Sequence, residues 1–127
     1  MKLKNFVLGA MAVAMVAIPA VAHHSYAMFD ASKTVTIEGT VKKFQWTNPH
    51  SLIFVTVTDA SGLSADWAIE HGSPAGLARQ GWTPKTLTPG MQVKVVVHPL
   101  TDGKPGGQFL AVTLPDGKQL GDPAGRH

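Results

Sequence analysis

The chain has 127 residues with 13 Gly, 9 Pro and no Cys, and only 15% are charged beside 44% apolar. Domains run to roughly 100–200 residues, so this length fits one small domain and excludes a multidomain enzyme. The absence of cysteine excludes a disulfide framework, a zinc-thiolate site, a redox dithiol, an iron-sulfur cluster and a lipid-modified N-terminal Cys. Any metal must be held by His, carboxylate, Met or backbone.

The formal charge of +3 would suggest a nucleic-acid partner until its location is considered. Lys2 and Lys4 precede an apolar run from Phe6 to Ala22, broken only by Gly9 and Pro19 and ending Ala20-Val21-Ala22. A basic start, an apolar centre and a small-x-small end are the parts of a secretory signal peptide. The run of 17 residues falls short of the ~20 a membrane span needs and ends in a helix breaker, so cleavage after Ala22 is expected, with no membrane anchor left behind. Nine of the 11 basic residues then face 8 acidic ones, a net charge of +1, and the case for nucleic acid collapses. The expected organisation is a signal peptide over 1–22, an N-terminal arm over 23–34, a β domain over 35–114 and a flexible tail over 115–127, in a periplasmic or secreted protein.

From Val35 the chain reads as β structure, with Val35, Ile37, Gly39 and Val41 alternating against Thr34, Thr36, Glu38, Thr40 and Lys42. Phe44 and Trp46 then fall on the other parity, the mark of a β-bulge, expected close to Gly39, in a bent strand. Asn48-Pro49 interrupts pairing, and a second strand follows over Leu52–Thr58. A turn at Asp59–Gly62 leads to a third strand carrying Ala65, Trp67 and Ile69. Ser73 as N-cap, Pro74 at the first helical position and Gly81 as stop frame a helix of barely two turns. Met91 to His98 reads as the fourth strand, Gly103 to Gly107 as a loop and Phe109 to Leu114 as the fifth strand. The Gly/Pro-rich remainder is expected to fray. Three strands, a short helix and two strands, with the first strand bulged, predict an all-β fold of the small five-stranded OB-like barrel type; an open β-sandwich is the alternative.

The exported start with His23-His24-Ser25-Tyr26 and Phe29-Asp30, followed by Glu38-Gly39-Thr40-Val41, Trp46-Thr47-Asn48-Pro49-His50, Trp67, Gly81-Trp82 and Pro89-Gly90, resembles a bacterial family of small secreted proteins, the domain-of-unknown-function family 6152. The resemblance spans essentially the whole chain after the leader. It implies export and a small β domain, and it carries no assigned chemistry.

The most chemically suggestive feature is positional. Cleavage after Ala22 makes His23 the first residue, and its free α-amine and ring nitrogen chelate a metal as one pair. With a second imidazole this is a histidine-brace ligand set, suited to copper. Cleavage one residue earlier gives Ala22-His23-His24 instead, a square-planar Cu(II) or Ni(II) set. The amine titrates at ~7.7–8.0 and imidazole at ~6.5, so both deprotonate for a metal near neutral pH. The idle alternative is a terminus whose two histidines do nothing.

His50 and His71 depend on register. Pairing Ile53 with Ile69 and Val55 with Trp67 places His71 opposite Ser51; pairing Leu52 with Ile69 and Phe54 with Trp67 sets His50 directly opposite His71, at the ~4.5–5.5 Å Cβ spacing of facing residues. In that second register the two imidazoles share one rim, with Glu70 placed to orient a ligand ring. Each also has an ordinary structural use, His50 at a turn and His71 at a strand end. From His24 to Val35 the arm spans ~36 Å when extended, more than the ~20 Å height of a barrel of six-residue strands, so reach is no obstacle if Tyr26, Met28 and Phe29 dock. The expected metal site is thus His23, His24, His50 and His71, with copper as cofactor and His98 a weaker candidate.

No nucleophile elbow, phosphate loop, His-Glu-x-x-His helix or dinucleotide fingerprint is present, so the sequence supplies no catalytic constellation. The competing class is a metal-free binding module for a protein or envelope-polymer partner, with Phe44, Trp46, Phe54, Trp67 and Trp82 as a platform, although a small barrel also needs such residues to fill its core. On the metal reading, the partner is a metal-delivery or envelope protein.

Overall fold

The computed structural model describes residues 28–126. Six strands and one helix follow in the order β1 (Val35–Gln45), β2 (Leu52–Thr58), β3 (Ser64–Glu70), α1 (Pro74–Arg79), β4 (Gln92–Pro99), β5 (Gly106–Thr113) and β6 (Gln119–Gly121). The sheet order is β3-β2-β1-β4-β5-β6, and a parallel pairing of β3 with β5 closes the first five strands into a barrel. Closure excludes the open sandwich. A short helix between the third and fourth strands of such a barrel is the OB-like order.

Alternation builds the interior. Ile37 and Val41 of β1, Ile53 and Val55 of β2, Ile69 of β3, Val93, Val95 and Val97 of β4 and Val112 of β5 form one buried cluster with Leu77, Trp82, Leu87 and Phe109. The bulge in β1 lies between Val41 and Lys43, a few residues beyond Gly39: Val41 pairs with Val55 and Lys43 with Phe54. The extra residue, Lys42, stands outside and meets Asp66, which also accepts a hydrogen bond from the Thr56 hydroxyl at 2.8 Å. This is why Phe44 reaches the core on even parity.

α1 caps the end of the barrel where β3 stops. The Ser73 hydroxyl accepts from the Gly76 N–H at 3.2 Å, Pro74 opens the helix, and Leu77 is its buried residue. The chain then turns so that the Trp82 N–H donates to the Leu77 carbonyl, which lays the buried indole over the same end.

Two expectations change. The tail after Leu114 does not fray within the described residues. Pro115-Asp116-Gly117 makes a turn in which Gly117, with φ of 86°, supplies the left-handed residue, and β6 returns to pair Val112 with Leu120. The cause lies in β5, where the ladder to β4 shifts between Val96 and Val97, leaving Leu110 unpaired. Phe109, Leu110, Ala111 and Val112 are all buried, so β5 is apolar on both faces. The outer face is covered by residues 119–125, and the Asp122 N–H donates to the Leu110 carbonyl.

The arm is also docked, in part. Phe29 bridges Leu100 and is buried, the Asp30 N–H donates to the Pro99 carbonyl at 2.8 Å, and the Thr101 N–H donates to the Met28 carbonyl at 2.9 Å. Met28 itself is exposed, and Tyr26 lies outside the described residues.

The seam that closes the barrel runs through Gly106 and Gly107, opposite Ala68 and Ile69. A Cβ on Gly107 would sit 2.5 Å from the His98 carbonyl oxygen and 2.8 Å from a Val97 methyl. Gly107→Ala is therefore expected to lower the unfolding free energy by ~2 kcal/mol or more. Urea denaturation checks this: an unchanged midpoint would mean that β4 and β5 have slack at Gly107.

Candidate functional site

Among the described residues, a cleft of about 420 Å³ lies beside the capped end of the barrel. His50, Glu70 and His71 line it together with Leu77 of α1 and Gln80 at its C-cap, β5 from Gln108 to Leu110, and Asp122 and Arg126 from the segment after β6. Each piece is placed by something already described: the ends of β2 and β3, the helix cap, the bulge at Leu110 and its cover.

The β2–β3 register pairs Ile53 with Ile69 and Val55 with Trp67. Side chains alternate between faces, so Ser51 and His71 turn inward with Ile53 and Ile69, whereas His50 and Glu70 turn outward with Leu52. His50 and His71 are not opposed. They reach the same cleft from the two faces of one ladder end. The partner of His50 is Glu70, with His50 Nε2 to Glu70 Oε1 at 3.6 Å, an ion pair when the ring is protonated. Glu70 thus stands beside the ring of His50.

His71 occupies an aromatic setting. Its ring centroid lies 4.6 Å from that of Trp82 and 3.9 Å from that of Phe109. Its Nε2 is buried with no hydrogen-bond partner, as is Ser51 Oγ. Burial pushes the ring down from 6.5 to about 4, so it is neutral over the physiological range. In the same cleft Arg126 Nε lies 3.0 Å from Asp122 Oδ2. The Arg126 side chain and the Ala124 N–H together hold the Asp122 carboxyl below its usual range.

The other sequence-selected residues fall elsewhere. His98 Nδ1 lies 2.7 Å from the Lys33 carbonyl, which ties the arm to β4. His23 and His24 lie outside the described residues. Phe44, Trp46, Trp67 and Trp82 all pack into or against the core, so of the aromatic platform only Phe54 stays free of the core cluster, half-buried on the outer face. Among the described residues, no three His, Asp or Glu side chains converge where a metal ion would be held. The cleft alone therefore offers a metal too few donors. Asp122 and Arg126 had no place in the sequence reading; the Pro115-Asp116-Gly117 turn and the four consecutive apolar residues of β5 were the signals for them.

The buried ring generates a pH dependence. The unfolded chain protonates His71 near 6.5 and the folded chain not until about 4, so stability is full above this window and falls as pH drops through it. At ~1.4 kcal/mol per pH unit the loss is on the order of 3 kcal/mol by pH 4. Asp30, Asp59, Asp66 and Asp122, all held below the ordinary 3.8, lose their contributions only at still lower pH. The urea midpoint should fall between pH 7 and 4.5, and His71→Phe, which keeps an aromatic ring without a titrating group, should flatten that fall. Parallel curves for the two proteins would assign the effect elsewhere.

No curated protein and no solved structure matches the chain. The model of a family of unknown function, DUF6152, matches residues 11–109. That span holds the His23-His24 start, His50, Glu70 and His71, and it stops before β6 and the segment bearing Asp122 and Arg126. The matched span is most of the chain, and the chain belongs to the family of unknown function DUF6152.

Proposed function

We propose that the chain is exported, loses residues 1–22, and binds copper or a related divalent metal through the α-amine and ring of His23 together with His24, with His50 or His71 of the cleft as a further donor. Its role on this reading is storage, delivery or sensing of the metal in the periplasm, with a metal-delivery or envelope protein as partner. The observation that carries the reading is the meeting of His50, Glu70 and neutral His71 at one cleft that lacks enough donors to hold a metal by itself. A terminal amine–imidazole pair supplies what is missing, and neutral imidazole is the form a metal takes.

Docking of the arm sharpens the geometry. Because Phe29 is fixed beside Leu100, the reach of His23 is counted from Met28 and not from Val35. Those five peptide units extend to ~17 Å. Counting strands and residues from Met28 by way of Leu100, Gly106 and Ala68 to His71 gives roughly 15–20 Å. The two lengths are comparable, so on this reading the terminal pair is the principal chelate and the cleft the secondary one.

A second reading, a metal-free barrel that binds a protein or an envelope polymer, is favoured by one observation. Phe54 lies half-buried in a shallow outer depression among Lys42, Lys43, Gln45 and Asp66.

Intact-mass analysis of protein purified from the export compartment, followed by Cu(II) titration with electron spin resonance, separates the two. The metal reading predicts a first residue of His23, sub-micromolar binding, its loss in His23→Ala, and weakening of about tenfold in His50→Ala or His71→Ala. Wild-type protein indifferent to both copper and zinc would leave the binding-module reading.

A further inference from the structure

Ser51 Oγ and His71 Nε2 are both sealed from solvent and both unpartnered within the described residues, and Ser51 is fully buried. Ser51 stands opposite His71 and Gly72, just past the last ladder pair of Leu52 with Glu70. There the His71 N–H donates to the Ser51 carbonyl at 2.8 Å, and the Ser51 N–H donates to the Gly72 carbonyl at 2.9 Å. Both side chains turn inward, on the parity of Ile53 and Ile69. Residues on neighbouring strands at such a position hold their Cβ atoms within roughly 4.5–5.5 Å, a separation that one water molecule spans between a hydroxyl and a ring nitrogen. Trp82 and Phe109 flank the ring.

An unsatisfied buried polar atom is costly, and native interiors almost always supply a partner. Two such atoms on facing residues are satisfied together by one small molecule that can both donate and accept. A buried water makes two to four such bonds as a rule. The rings around the space are apolar and leave it no charge to neutralise, so an ion is a poor occupant.

We propose that one internal water bridges Ser51 Oγ and His71 Nε2, accepting a hydrogen bond from Nε2–H, and that this fixes the His71 tautomer with Nε2–H turned inward and the Nδ1 lone pair toward the cleft. The Nε2–H form is also the one a free neutral imidazole prefers. Ser51 is thereby a positioning residue for His71. On the metal reading, on which this last consequence rests, Nδ1 is the nitrogen that His71 offers a metal, and the water and serine play the orienting part that a second partner plays for a metal-bound imidazole.

Long-range proton–nitrogen NMR on the metal-free protein at pH 7 tests the proposal, since the ring nitrogen shifts report the tautomer directly. The expected result is an Nε2–H pattern for His71 and an exchange peak between its ring protons and a long-lived water. Ser51→Ala should abolish that peak and move the ring nitrogen shifts, and Ser51→Thr, which keeps the hydroxyl, should restore both. An Nδ1–H pattern in the native protein, or ring shifts that stay unchanged in Ser51→Ala, would overturn it. The native tautomer is readable even if a variant fails to fold. With no metal present, failure of copper binding and failure of this proposal remain separate results.

Discussion

Pairing of Ile53 with Ile69 decides which side chains can act together in this molecule. A slip of one residue in a ladder turns every side chain to the opposite face. In the observed register the apolar set of β2 and β3 enters the barrel, His71 follows it inward and His50 stays outside with Glu70. The alternative register would have brought two imidazoles together at the rim, but it would have exchanged Ile53, Val55 and Val57 on the inner face for Leu52, Phe54 and Thr56. That exchange forces Phe54 into the space of Val55 and buries the Thr56 hydroxyl away from Asp66, and an unpaired buried hydroxyl costs ~1–3 kcal/mol. Apolar burial therefore fixes the chemistry of the rim.

The remainder of the cleft follows from how the barrel is finished. β3 and β5 approach through Gly106 and Gly107, and β5 then bulges at Leu110. The bulge presents an apolar side chain and a carbonyl on the outer face, and residues 119–125 cover both. That cover brings Asp122 and Arg126 to the cleft that His50 and Glu70 also line. The Arg126–Asp122 ion pair and the His50–Glu70 contact thus share one cleft. Exposed pairs of this kind contribute ~0–1 kcal/mol, so their placement matters more for what the cleft can recognise than for holding it together. Without a disulfide, the holding is left to the valine-rich interior and to the cap of Leu77 and Trp82.

Much of the fold was legible because it rests on local rules. Alternation gave β1 and β4, the bulge betrayed itself as a parity change at Phe44, and Ser73-Pro74 with Gly81 framed the helix. What escaped was decided by contacts between distant segments. Gly106 and Gly107 read as a loop because glycine is a turn residue, whereas here Gly106 permits close approach of the Ala68 carbonyl on β3 and Gly107 that of the His98 carbonyl on β4. The tail read as polar and Gly/Pro-rich, and its order depends on an apolar outer face of β5 that single-strand periodicity does not announce. The site was half legible: the sequence selected His50, Glu70 and His71, but the face each occupies required the register, and His98 proved to be a tether for the arm.

The most direct measurement is a set of nuclear Overhauser contacts from the His71 ring protons in the folded protein. The account predicts strong contacts to Trp82 and Phe109 and none to the ring of His50. A His50–His71 ring contact, with the Trp82 contact missing, would contradict it, because the strands would then be paired in the other register and the cleft would have a different wall.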